Sequence, residues 1–317
     1  MKKNLVILFV CLSTLSSSFA QNNYAATDQY VTKLGSMDSL NLAQIAKNIT
    51  AASGDKEQQS RAIFFWIANN IALDPKAIKG NDQRKSLPED VVKLRKGTAL
   101  GFAKLFQEMA SIANIRCLVV DGYTRNSIDD LNSPADEINH SWNVVQLGQS
   151  PDTWQVLDAA KASGTSDKKM SLFTKKFESG YFFTDKTLFN LDHFADNDAW
   201  QLGSGPKSLK EFYALPVIES AAYEYGLRKP TPATGFIKTK TKSKVSFSIP
   251  VISGASIENV SILIGEGRRM QKPEPMNFSG SGGAITFSYQ FKVEDTYPVK
   301  ILVDEKVILE YMVEVNE

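Results

Sequence analysis

The stretch Leu94-Arg95-Lys96-Gly97-Thr98-Ala99-Leu100-Gly101-Phe102-Ala103-Lys104-Leu105-Phe106 decides how this chain is read. Gly97 permits an unusual turn, and the Thr98 hydroxyl is suited to capping the N–H groups of a helix that starts beside it. Phe102, Leu105, Phe106, Met109 and Ile112 recur at three- and four-residue spacing, so one face of that helix is buried. Taken alone, residues 98–112 predict a well-capped core helix. A helix N-terminus carries partial positive charge, and a thiol placed there ionises readily and becomes a good nucleophile. Ala99 stands at that place, and a methyl group cannot attack a carbonyl.

Beyond this helix the apolar period changes to that of strands. Leu118–Tyr123, His140–Leu147 and Thr153–Asp158 predict three strands, with a polar connection over residues 126–139. Thiol amidases and acyl-transferases need a thiolate, a base that shuttles its proton and a group that orients the base. His140 opens one predicted strand and Asp158 closes the next, so neighbouring strands bring their ends within hydrogen-bond reach. His140 taken alone also reads as a structural histidine.

Together these segments resemble the transglutaminase-like superfamily. Arg95-x-Gly97-x-Ala99-x-Gly101 is similar to its R-x-G-x-C-x-G nucleophile motif, with alanine at the cysteine position. His140-Ser141-Trp142-Asn143-Val144-Val145 resembles its H-x-W-N-x-V strand, and Trp154-Gln155-Val156-Leu157-Asp158 its W-x-x-x-D strand. The resemblance implies a papain-like fold of helices on an antiparallel sheet, with His140 as base and Asp158 as its orienter. It implies a degenerate triad with Ala99 at the nucleophile position, and a groove lined by Trp142, Trp154, Ala99 and Leu100. Phe65–Ile71, Tyr181–Asp185, His193-Phe194 and Trp200–Leu202 resemble segments of bacterial proteins akin to the kyphoscoliosis peptidase, which extends the likeness over roughly residues 40–220. His193 is structural in that reading. Two departures flank the dyad. Leu100 stands where a polar or acidic residue is common, and Ala159-Ala160-Lys161 follows Asp158 where Pro-Thr-Trp is common, weakening the substrate-side wall.

The chain has 317 residues, 43% hydrophobic and 22% charged, as expected of a globular protein long enough for two domains. Lys2 and Lys3, the apolar run Leu5–Leu12 and the small residues up to Ala20 read as a secretory signal peptide cut after Ala20, which makes the protein periplasmic or extracellular. The run is too short to span a membrane. Cleavage lowers the basic residues from 36 to 34 against 35 acidic ones, a net charge of −1, and this balance gives no reason to expect nucleic-acid binding. Cleavage also removes Cys11, so Cys117 remains alone in an apolar strand, unable to form an intramolecular disulfide and ill-suited to replace the nucleophile. Two distant histidines are too few for a metal site, and no cofactor is expected.

The domain reading is a signal peptide at 1–20, a loosely ordered polar segment at 21–38, a transglutaminase-like domain at 39–228 and an all-β immunoglobulin-like sandwich at 229–317. The sandwich follows from a Pro/Gly linker and five short β-rich runs between residues 245 and 315. Lys238, Lys240, Lys242 and Lys244 alternate with Thr and Ser, which on one strand puts four lysines on one face. That face reads as a protected sheet edge or as a dock for an anionic glycan or lipid headgroup. The leading functional expectation is a pseudoenzyme that binds a peptide, a protein or a cell-wall fragment in the cleft. An acyl-transferase or peptidase with a non-standard nucleophile is the competing reading, and a structural spacer is the third.

Overall fold

The computed structural model describes residues 24–317 apart from 81, 126, 168 and 253–255. The expected signal peptide, Cys11 and the Ala20 cleavage point lie outside the described residues. The chain begins there with helix α1 (Ala25–Lys33), where a loosely ordered segment is expected from the sequence. Tertiary contacts override weak local preference. The Arg61 guanidinium, 2% exposed, holds both carboxylate oxygens of Asp28 at 2.8 and 2.7 Å, and Tyr24 packs edge-on against Phe182.

Helices α2 (Leu42–Thr50) and α3 (Lys56–Asn70) follow, each started by a side-chain cap, Asn41 onto Gln44 N–H and Asp55 onto Gln58 N–H. A two-residue strand β1 (Ala72–Leu73) leads to helix α4 (Pro75–Lys79), where a loop is expected from residues 76–87. Pro75 at its first turn and the Asp74 cap on Ala77 N–H suffice to start this short helix. Helix α5 (Pro88–Leu94) ends at Arg95, which takes the left-handed conformation at φ 53°. Strand β2 (Lys96–Gly97) pairs in parallel with β1 and delivers the chain to helix α6 (Ala99–Ile112).

The three predicted strands are present as β3 (Arg116–Thr124), β4 (His140–Gln146) and β5 (Trp154–Leu157). Helix α7 (Ala159–Ser163) follows, then a small hairpin of β6 (Gly164–Ser166) and β7 (Phe173–Lys175). Helix α8 (Lys186–Asp192) runs directly into β8 (His193–Ala195), which joins the sheet in the order β5-β4-β3-β8, antiparallel throughout. Helix α6 covers one face of this sheet. Trp142, Val144, Trp154, Val156 and Phe189 form an apolar cluster of their own.

After helix α9 (Leu209–Ala214), the strand β9 (Val217–Ile218) pairs with the last strand of the chain. The remaining strands are β10 (Phe236–Lys240), β11 (Lys244–Pro250), β12 (Val260–Ile264), β13 (Glu274–Pro275), β14 (Ala284–Gln290), β15 (Asp295–Val303) and β16 (Lys306–Asn316). They make one sheet of order β10-β16-β15-β12-β13 and a β11-β14 pair, with Phe247 of one sheet against Tyr311 of the other at 5.6 Å. This is the strand-rich sandwich expected from the sequence. One continuous apolar cluster runs from α2, α3 and α6 into it through Ala222, Tyr225 and Leu227.

The lysine comb is not on one strand. Lys238 and Lys240 lie on β10, Lys242 sits in a turn at φ 70°, and Lys244 starts β11 in the other sheet. Lys238 pairs with Glu314 at 3.1 Å, and Lys240 donates to the Glu317 carbonyl. A single four-lysine docking face is thereby excluded. No helix among the described residues is long and apolar enough to cross a membrane.

Candidate functional site

Thr98 caps α6 as expected, its Oγ1 accepting from Gly101 N–H at 3.2 Å. The same hydroxyl lies 2.8 Å from Ser86 Oγ, and Thr98 N–H donates to Lys85 O at 3.0 Å. The segment before α5 thus clamps the start of α6. Gly101 is required by this close approach, since a Cβ there would fall 2.1 Å from Lys85 O. The unusual turn expected at Gly97 is instead made by Arg95, the positive-φ residue of this segment. Ala99 opens the helix and is 9% exposed, with Leu100 half-buried beside it.

Two side-chain hydrogen bonds fix which end of α6 faces which end of the sheet. Asn143 Nδ2 donates to Ala103 O at 2.9 Å, and Gln107 Nε2 donates to Cys117 O at 3.1 Å. Cys117 faces Val145 in the β3–β4 register, so α6 runs in the same sense as β4. The Ala99 end therefore lies toward the start of β4, which is His140. In the β4–β5 register Leu157 faces Asn143, which brings Asp158 level with Trp142 at that same end.

The His140–Asp158 pairing anticipated from the sequence is formed. His140 Nε2 lies 2.5 Å from Asp158 Oδ2, which leaves Nδ1 as the nitrogen not engaged by the carboxylate. The other carboxylate oxygen accepts from Lys161 N–H at 2.9 Å, so Asp158 also caps α7. Burial opposes ionisation of Asp158, but His140 and His193 outweigh it and hold the carboxyl well below the usual range. Ala159 and Ala160 are packed into the core in α7, so the departure after Asp158 builds a helix and not a wall of the site.

His193 is the residue that sequence reasoning undervalued. Its Nε2 lies 3.0 Å from the same Asp158 Oδ2, so two imidazoles share one oxygen. Its ring is fully buried, stacked on Phe189 at 3.7 Å with 8° between planes, and set edge-on to Trp142 at 5.1 Å. Behind it Asp192 receives Lys161 Nζ at 2.9 and 3.0 Å and Tyr223 OH at 3.2 Å. Burial again opposes the charge on Asp192, and Lys161 and His193 more than offset it. The adjacent Asp192-His193 at a helix end was the available signal. The two histidines, distant in sequence and too few by themselves for a metal site, meet at Asp158.

Trp142 and Trp154 require correction as ligand contacts. Trp142 is 2% exposed and Trp154 8%. Strand alternation puts Trp142 on the side of the sheet away from Asn143 and α6, against Phe189, His193 and Gly122. A Cβ at Gly122 would fall 2.6 Å from the indole, so the glycine makes room for it. Trp154 packs edge-on to Trp200 beneath the Arg116 guanidinium. Cys117 is buried, and burial pushes its thiol far above the ordinary range.

Residues 43–159 match the sequence profile of the Transglutaminase-like superfamily. The chain is 31% identical over 199 residues to the kyphoscoliosis peptidase of Mus musculus, a match covering 62% of this chain and 30% of that protein. It is 32% identical over 208 residues to the Homo sapiens kyphoscoliosis peptidase, covering 61% and 31%. Similarity to Hillarin of Drosophila melanogaster is 22% over 216 residues, covering 63% and 25%. The chain spans less than a third of the length of these relatives.

Proposed function

Since the chain carries a transglutaminase-like domain, we propose that this domain binds an extended peptide, a protein segment or a cell-wall fragment without thiol chemistry, outside the cytoplasm. The observation that carries this reading is Ala99 at the first position of α6, the helix end that lies toward the start of β4, where the His140–Asp158 dyad is assembled. Loss of a nucleophile costs several orders of magnitude in rate, and the remaining machinery restores only a small part. Neither neighbouring candidate replaces it. The Thr98 hydroxyl is engaged as a cap and by Ser86, and the Cys117 thiol is buried with its ionisation suppressed.

With both indoles in the core, the ligand-facing rim falls to other side chains. Leu100 is half-buried beside Ala99. Leu87 is 50% exposed next to Ser86, which holds the α6 cap, and Ile138 is 46% exposed two residues before His140. Exposed apolar side chains on either flank suit an extended chain whose side chains alternate. The apolar Leu5–Leu12 run behind Lys2 and Lys3 supports export.

A second reading, a vestigial groove in a module that spaces the sandwich, is favoured by one observation: β9 is built into the sandwich sheet through β16. Binding to an arrayed peptide and muropeptide library separates the two. The first reading expects retained ligands that are lost on Ala99→Phe, assayed below the melting transition of that variant, since a larger side chain at this packed position costs about 1–3 kcal/mol. Unchanged retention by Ala99→Phe would sink it, and an absence of any retained ligand would favour the spacer.

A further inference from the structure

His140, Asp158 and His193 stand apart from the needs of a thiol site, because one carboxylate oxygen serves two imidazoles. One ligand-capable atom from each of the three side chains lies within 4.8 Å of the other two, and His140 Nε2 and His193 Nε2 stand 2.5 and 3.0 Å from Asp158 Oδ2. Asp158 is ionised and accepts only, so in this arrangement each Nε2 carries its proton toward Oδ2. That tautomer leaves His193 Nδ1 as a bare lone pair. It is buried without a hydrogen-bond partner, 3.6 Å from Asp192 Oδ2, another acceptor. A fully buried acceptor facing a carboxylate is an uncompensated cost.

We propose that these three side chains form a binding site for a divalent transition-metal ion of the zinc class. With an ion between the three atoms, each imidazole presents the Nε2 lone pair and keeps its proton on Nδ1. His193 Nδ1–H then points at Asp192, which Lys161 and Tyr223 already hold, and the orphaned atom is satisfied. A ligating histidine whose far nitrogen donates to a fixed carboxylate is the usual outer shell of zinc sites. No net proton is released, since each proton only changes nitrogen.

The distances suit this exchange. Ligands at about 2.0–2.1 Å from zinc in its tetrahedral arrangement are roughly 3.3–3.4 Å from each other, a few tenths of an ångström beyond the His193–Asp158 separation of 3.0 Å. The His140–Asp158 contact of 2.5 Å is a hydrogen bond and must open by a little under an ångström. His140 is the member free to do so, at the rim with 10% of its side chain exposed, while His193 and Asp158 are fixed in the core. Three protein ligands leave a fourth position for water or an incoming group. This inference does not depend on peptide binding, which is to be measured with a chelator present.

The chain contains two histidines, so its imidazole NMR signals report the site alone. The tag-free chain, stripped with chelator, is titrated with Zn²⁺ by calorimetry and with Co²⁺ by visible absorption. The expected result is one equivalent bound at micromolar affinity or tighter, with both histidine signals shifted and Co²⁺ bands of four- or five-coordination. His140→Ala weakens binding at least 100-fold, and Asp192→Asn about 10- to 100-fold. Affinity no better than millimolar in the natural chain overturns the proposal. So does tight binding that leaves either histidine signal unmoved, and that readout stands even where a variant fails to fold.

Discussion

The two halves of the site differ in how completely they are built. At the sheet end, His140 and His193 meet Asp158, and Lys161 joins Asp158 to Asp192 and Tyr223, a mostly buried polar network in which His193 Nδ1 is left unpaired. At the helix end, Thr98, Gly101 and Ser86 preserve the cap geometry, yet the position that geometry serves holds a methyl group. A buried polar network left half-satisfied is costlier than an apolar core of the same volume. The sheet half therefore has a folding reason to stay intact whatever chemistry is lost, and the helix half has none at Ala99. On the function proposed above, this difference is how the His140–Asp158 pair can stay assembled with alanine at position 99.

Substitutions should rank accordingly. Asp158→Ala removes the acceptor of two imidazoles and the α7 cap together, and it should cost roughly 3–5 kcal/mol in urea unfolding. A cost under about 1 kcal/mol would mean that the sheet half is not held for stability.

Behind the network, burial and then Glu310 push Glu219 up to about 7, against the pull of Lys300 and Lys161. Its folded value exceeds its unfolded value of 4.5, so the folded state binds the extra proton. The penalty is absent below pH 4.5, grows up to about pH 7 and stays level above it. Glu219→Gln should therefore stabilise the protein by roughly 1–3 kcal/mol at pH 8 and hardly at all at pH 4. An equal effect at both pH values would remove the titration from the account.

Thr98→Ala should cost about 1 kcal/mol, the usual worth of a helix cap. Ala99→Cys adds one sulfur atom at a position packed into the core, and it should cost about 1 kcal/mol at most. Calorimetric melting of the two variants side by side checks both values.

Much of this arrangement was legible in the sequence. The α6 cap and apolar stripe, the three strands and the five β-rich runs rest on local periodicity and spacing, and the His140–Asp158 meeting on the resemblance of their strands to the transglutaminase-like motifs. What escaped depends on contacts between distant segments. The order of α1 comes from Arg61, and His193 reaches Asp158 only because β8 joins the sheet beyond β3. The burial of Trp142 was half-readable, since strand alternation sets it on the opposite face from Asn143, but the room made by Gly122 was not. The lysine comb failed for a local reason, a left-handed turn at Lys242 that no glycine announced.

The central claim is that the sheet half is assembled and the helix half lacks its nucleophile. It is tested most directly by mass-spectrometric turnover on a pool of peptides and amines, comparing the natural chain, Ala99→Cys and Ala99→Cys/His140→Ala. The account predicts no cleavage or crosslinking by the natural chain, and it predicts acylation and turnover in Ala99→Cys that the added His140→Ala abolishes. Turnover by the natural chain that His140→Ala abolishes would contradict it and require a nucleophile other than the residue at position 99.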